Sequence, residues 1–142
     1  MQAALELAEI GAARGEVPVG AVIVKDGKIL VEFHNLVEAF CDPTAHAEIL
    51  AIRKACELVG SARLEGCDLY VTLEPCPMCA QAISFARIRR LYFGAYDSKG
   101  GGVENGPRIF QQPTCHHAPE VYGGIQESDA GALLKTFFKS RR

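Results

Sequence analysis

The 142 residues, 49% hydrophobic and 23% charged, suit one globular domain with one substantial core and exclude a disordered chain. A formal net charge of −2 does not advertise a polyanion partner, and no apolar run approaches the ~20 residues that span a bilayer. Residues 1–14 mix Glu6, Glu9 and Arg14 with Ala and Leu, which reads as no signal peptide, so a cytoplasmic setting without a membrane partner is expected, with Cys41, Cys56, Cys67 and Cys115 mostly buried free thiols.

Met1 to Arg14 reads as a helix, with Ala3, Leu7 and Ile10 on its apolar stripe and Gly15 to end it. Val17 to Val24 is almost wholly apolar, as a buried central strand requires, and Pro18 suits its start, where no ladder N–H is needed. Asp26-Gly27 is a tight-turn pair, so Ile29 to His34 should be the antiparallel partner. Asp42-Pro43-Thr44 can open a second helix running to about Val59, ended by Gly60, with Ile49, Ile52, Cys56 and Val59 as its core stripe. Cys67 to Leu73 is a third strand, Pro77 to Ala86 a third helix and Arg90 to Ala95 a fourth strand. Tyr96 to Gly106 is a Gly-rich loop long enough to be functional. Pro107 to Phe110 reads as a short helical turn and Glu120 to Tyr122 as a weak fifth strand. Ser128 can cap a last helix whose Ala130, Leu133, Leu134 and Phe137 face the core. There is no repeat and no linker, so residues 1–142 read as one domain. A hairpin followed by alternating helices and strands predicts a three-layer α/β/α fold around a five-stranded mixed sheet, its last three strands parallel.

Chemistry concentrates in His46-Ala47-Glu48 and Pro75-Cys76-Pro77-Met78-Cys79. One imidazole and two thiols form a three-ligand zinc set that leaves a fourth position for water. Cys76 and Cys79, three apart at a helix start, can converge on one ion, and the helix N-terminus favours their thiolates. His46 and Glu48 lie about 200° apart on an ideal helix, so they share a site only if His46 sits at the very end of its helix. Glu48, on the margin of the apolar face, should be partly buried, with its pKa raised toward the range useful for proton transfer. Zinc lowers the pKa of a bound water from 15.7 to about 7, and Glu48 can carry its proton. A thiol redox pair shares the Cys-x-x-Cys spacing, and a closed structural zinc site would draw a fourth ligand from Cys115, His116 or His117. Residues 135–142 carry four positive charges and no negative ones, and Arg87, Arg89 and Arg90 form a second basic cluster; each also suits a solvated helix end.

His-x-Glu followed by Pro-Cys-x-x-Cys is the signature of zinc-dependent nucleobase deaminases, with the Glu as general acid/base. Glu16-Val-Pro-Val-Gly-Ala-Val22, Asn35, Asp42-Pro-Thr-Ala-His-Ala-Glu48 and Tyr70-Val-Thr-Leu-Glu-Pro-Cys-Pro-Met-Cys79 together resemble the bacterial tRNA-specific adenosine deaminases of the cytidine deaminase superfamily. The resemblance runs on through Arg90, Phe93-Gly-Ala95 and Phe137-Phe138 and covers nearly the whole chain. It implies a cytidine deaminase-like fold, one Zn2+ per chain, a homodimer, and conversion of adenosine to inosine at the wobble position of a tRNA anticodon stem-loop. It further implies that Asn35 and the Ala47 N–H hold the flipped base and that Asp97 and Lys99 contact neighbouring nucleotides. Phe138, Lys139, Arg141 and Arg142 would stack on or neutralise the RNA. The chain departs from the pattern at Tyr96, where a basic or amide residue is expected. It also departs in a tail ending at Arg142 and a start almost at the first helix.

Guanine, cytosine and cytidine deaminases share the metal signature and form the rival reading. The basic aromatic tail and the Asp97 loop argue for RNA over a free base. A non-catalytic, zinc-stabilised RNA-binding subunit is the other alternative, and Glu48 argues against it, because a purely structural site needs no proton carrier.

Overall fold

Five strands form one mixed sheet in the computed structural model, which describes residues 1–141. In chain order they are β1 (Gly20–Lys25), β2 (Lys28–His34), β3 (Cys67–Leu73), β4 (Arg90–Ala95) and β5 (Glu120–Tyr122), in the spatial order β2-β1-β3-β4-β5. β1 is antiparallel to both β2 and β3, and β3, β4 and β5 run parallel, as the chain order of elements predicted. The helices are α1 (Gln2–Ala13), α2 (Val37–Phe40), α3 (Ala47–Val59), α4 (Pro77–Phe85) and α5 (Glu127–Lys139). α1 and α5 cover one face, where Leu5, Ala95 and Ala130 cluster. On the other face Ala51, Ile52 and Ala55 of α3 and Ala80 and Ile83 of α4 close on Ile23, Leu69, Val71, Leu91 and Phe93. The result is the three-layer α/β/α arrangement expected. Truncating a fully buried member such as Leu91 to Ala should cost about 2–5 kcal/mol.

Several local expectations are corrected. α1 buries Ala4, Leu5, Ala8 and Gly11, while Ile10 is 45% exposed. The reason is close approach: a Cβ on Gly20 would strike the Ala4 carbonyl, so α1 meets β1 with its smallest residues. β1 starts at Gly20 because Pro18 has no N–H and the Val19 N–H turns back to the Val17 carbonyl at 2.8 Å. At the Asp26-Gly27 turn both residues have positive φ, 52° and 74°, the mirror-image turn that suits strand twist. Asp42 does not cap α3: its Oδ1 accepts the Thr44 N–H at 2.8 Å and the Thr44 hydroxyl at 2.7 Å, closing a local turn, and α3 begins at Ala47. Its buried stripe is Ala47, Glu48, Ala51, Ile52 and Ala55, with Cys56 and Val59 only flanking it. Ser128 lies inside α5, whose N-cap is Gln126 at φ 53°.

Candidate active site

His46 is the N-cap of α3, in extended conformation (φ −70°, ψ 148°), so its imidazole swings past the helix end while Glu48 stays in the first turn. Cys76 is likewise the extended N-cap of α4 (φ −69°, ψ 172°), with Pro77 at the first helical position and Cys79 buried in the first turn. α4 starts just past the end of β3, with Glu74 and Pro75 between Leu73 and Cys76, whereas α3 follows β2 only after α2. The ligand atoms of His46, Cys76 and Cys79 all lie within 4.8 Å of one another. His46 Nδ1 is 3.7 Å from Cys76 Sγ and 3.5 Å from Cys79 Sγ. A tetrahedral zinc with Zn–S about 2.3 Å and Zn–N about 2.0–2.1 Å separates nitrogen from sulfur by about 3.6 Å, so these three donors fit that ion. Among the described residues no fourth His, Cys, Asp or Glu joins them. Cys115 and His117 are engaged elsewhere, His117 Nε2 bonding the Ile88 carbonyl at 2.7 Å and Cys115 Sγ the His117 carbonyl at 3.1 Å. The cluster is thus an open three-ligand set rather than a closed structural one.

Its electrostatics suit a cation. The hydrogen bond from Cys79 holds the Cys76 thiol down to about 4, against burial and with help from His46. The same pairing, reinforced by burial, pushes Cys79 up. His46 is raised, chiefly by its hydrogen bond with Cys76. Glu48, 4% exposed, is raised first of all by desolvation. It is more deeply buried than its marginal position on the helix suggested, because α3 packs flat on the sheet.

The cluster opens into a cavity of about 690 Å³ whose lining includes Asn35, His46, Glu48, Cys76, Asp97, Phe137 and Arg141. Asn35, just past β2, is nearly buried, and its Oδ1 accepts the Ala47 N–H at 2.8 Å. The Ala47 N–H, expected to face a base, is therefore spent on orienting Asn35. Among the described residues Asn35 Nδ2 has no hydrogen-bond partner. Two buried carboxylates build the walls, and sequence reasoning assigned neither a role. Glu16 accepts the Glu38 and Ala39 N–H groups at 3.0 and 2.9 Å and so holds α2, a short helix the sequence did not reveal. Glu74 accepts the Asp97 N–H at 3.0 Å and further donors from residues 103–105. Burial alone would raise the Glu74 carboxyl, but the donors from Asp97, Asn105 and Val103 hold it below its ordinary value. The one available signal was a charge abutting an apolar strand: Glu16 precedes Val-Pro-Val, and Glu74 follows Val-Thr-Leu.

The remaining expected residues divide. Asp97 lines the cavity, and its Oδ1 accepts the Lys99 and Gly100 N–H groups at 3.1 and 2.9 Å. Lys99 is exposed and not part of the lining. In the tail Phe137, expected in the core, lines the cavity instead, and the Arg141 guanidinium lies 4.4 Å from the centre of its ring. Phe138 and Lys139 are exposed and face a separate shallow hollow. Arg142 lies outside the described residues. Tyr96 packs edge-on against Phe93, with ring centroids 5.0 Å apart, over Gly123, where any Cβ would collide with both rings. Arg89 and Arg90 are paired with Asp68 and Glu120 near the start of β4, at the opposite strand ends from the cavity.

Residues 1–95 match the family model of the cytidine and deoxycytidylate deaminase zinc-binding region. The chain is 58% identical to the tRNA-specific adenosine deaminase of Agrobacterium fabrum, over 100% of this chain and 93% of that one. It superposes with a TM-score of 0.93 and 59% identity on a structure from studies of A-to-I editing by tRNA deaminases at the wobble position, covering 94% of this chain and 97% of that one. A guanine deaminase structure from Bacillus subtilis gives a TM-score of 0.67 at 37% identity, with 99% and 90% coverage.

Proposed function

The chain belongs to the tRNA-specific adenosine deaminase family, within the cytidine and deoxycytidylate deaminases, and from that premise we propose that it converts adenosine to inosine at the wobble position of a tRNA anticodon. The observation that carries this reading is the placement of Glu48: buried, on the cavity wall, beside a three-donor metal set to which it does not itself contribute. Residues 1–142 then act as a single zinc-dependent deaminase domain working in the cytoplasm. Among the described residues no helix is long and apolar enough to cross a membrane.

His46, Cys76 and Cys79 hold one zinc ion, which when bound supplies the Lewis acidity that makes water a nucleophile at neutral pH. Glu48 takes a proton from the attacking water and passes it to N1 of the adenine ring as the C6–O bond forms. It then takes the remaining proton from the new C6 hydroxyl and delivers it to the exocyclic amine, which leaves as ammonia when the C6–N bond breaks and the C6 carbonyl forms. A raised pKa suits both directions of transfer. Asn35, fixed by the Ala47 N–H, offers Nδ2 to the flipped base. Asp97 and the 97–105 loop line the side where flanking nucleotides pass, with Lys99 beyond them. Phe137 and Arg141 also line the cavity, while the exposed Phe138 and Lys139 are offered to the RNA; Arg142, outside the described residues, is assigned the same role from its charge. A homodimer is supported by α4, which exposes Met78 and Phe85, the latter by 72%, on one face at helical spacing.

The guanine deaminase likeness keeps one rival reading open to test. The experiment is ammonia release by the purified protein from an anticodon stem-loop, compared with free guanine and free cytidine. Turnover on the stem-loop alone is the expected result. Turnover on guanine alone would replace the proposal with the rival.

A further inference from the structure

Glu74 stands outside the chemistry just described, yet it is 2% exposed and carries more hydrogen bonds than any other side chain near the site. Its Oε2 accepts three consecutive backbone N–H groups, from Val103 at 3.1 Å, Glu104 at 2.9 Å and Asn105 at 3.0 Å. Its Oε1 accepts the Asp97 N–H at 3.0 Å and Asn105 Nδ2 at 2.7 Å. Successive N–H groups converging on one oxygen form an anion nest, here filled by the protein's own carboxylate. The loop is also pressed against the metal side. The Gly102 N–H donates to the Pro75 carbonyl at 2.8 Å, and a Cβ on Gly102 would lie 2.6 Å from Pro77 N. A Cβ on Gly101 would collide with Glu74 itself. Both glycines are therefore fixed by contact rather than by turn geometry. One carboxylate ties together three pieces of chain: the end of β3, the cavity-lining Asp97, and residues 103–105.

We propose that Glu74 is a positioning residue: its buried carboxylate gathers the 97–105 loop into a fixed wall of the cavity, so that Asp97 and Gly100 meet the RNA already in place. This rests on the RNA deaminase reading above. A loop without that anchor must be ordered by the substrate at the moment of binding, and the ordering cost falls on affinity. Binding should therefore weaken, while zinc and proton transfer persist, because all five hydrogen bonds of Glu74 go to Asp97 and residues 103–105 and none to Glu48 or the metal ligands.

The test compares wild type, Glu74→Gln and Asn105→Ala on an anticodon stem-loop. Gln keeps the size but turns an amino group toward a set of N–H donors. Glu74→Gln should raise KM at least fivefold, leave kcat within threefold, and retain one zinc per chain. The amides of 103–105 should exchange with solvent faster. Asn105→Ala removes one of the five hydrogen bonds and should raise KM about twofold, and it decides the matter if Glu74→Gln does not fold. Unchanged KM in the folded variants overturns the inference. So does a fall in kcat that tracks loss of zinc, which would make Glu74 a support of the metal site instead. A wild type inactive on the stem-loop overturns the deaminase reading and the positioning role with it, whereas an active wild type with unchanged variants overturns only the latter.

Discussion

Asn35 Oδ1 accepts the Ala47 N–H at 2.8 Å, a bond that joins the end of β2 to the start of α3 between His46 and Glu48. It orients the side chain and uses up a helix-start N–H that would otherwise have no partner. Asn35→Asp keeps that acceptor, replaces the amino donor with an oxygen and adds an ionisable carboxyl to the cavity that Glu48 and Cys76 line. It should lower kcat/KM on RNA by about 10- to 100-fold, the worth of one good hydrogen bond to substrate. Asn35→Ala also strands the Ala47 N–H and should cost an additional 1–3 kcal/mol or so of stability. Steady-state kinetics with denaturant melts of both variants checks this; equal stability of the two would contradict the structural half.

Glu48→Ala should keep the fold and one zinc per chain yet lose about 10²–10⁴-fold in turnover, because one group serves several proton transfers. Elemental analysis alongside single-turnover rates makes the separation. Wild-type turnover in this variant would refute the mechanism.

Removing zinc with a chelator should abolish activity and lower the melting temperature, with both restored by added zinc, since the ion binds only the folded arrangement of the three ligands. Cys79→Ala should bind little zinc from the outset. Full activity in metal-depleted protein would rule out the metal-dependent reading.

In the tail, Arg141→Ala should weaken RNA binding more than Phe138→Ala, because Arg141 reaches the cavity on the Phe137 ring while Phe138 faces away. Alanine at Lys139, Arg141 and Arg142 together should flatten the salt dependence by up to about 0.7 log units of slope per lost contact. Binding measured across a salt series decides it, and an unaltered slope would reduce the tail to a solvated helix end.

Gly20→Ala should destabilise the protein by about 3 kcal/mol, at the upper end of typical overpacking costs, because α1 presents the Ala4 carbonyl where the new methyl must go. A thermal melt within 1 °C of wild type would show that α1 can move aside.

Local patterns in the chain determined most of the elements. β3, β4 and β5 run over the residues their apolar pattern marked, and the Asp26-Gly27 pair placed the hairpin. The metal cluster was legible for a related reason: two short motifs place three donors at two helix starts, and any fold that joins those starts brings the donors together. Tertiary structure decided the rest, wherever a choice depended on partners distant in the chain. Apolar periodicity misassigned the buried faces of α1 and α3 because the closest helix–sheet approach selects Ala and Gly, whose small side chains contribute little to an apolar stripe. Phe137 rather than Phe138 reached the cavity because the docking of α5, not the composition of the tail, sets which face turns inward. Glu16 and Glu74 bind backbone N–H groups 22 to 31 residues away. Every residue except proline carries such a donor, so no side-chain pattern marks the partner, and only the folded chain shows where these carboxylates are satisfied.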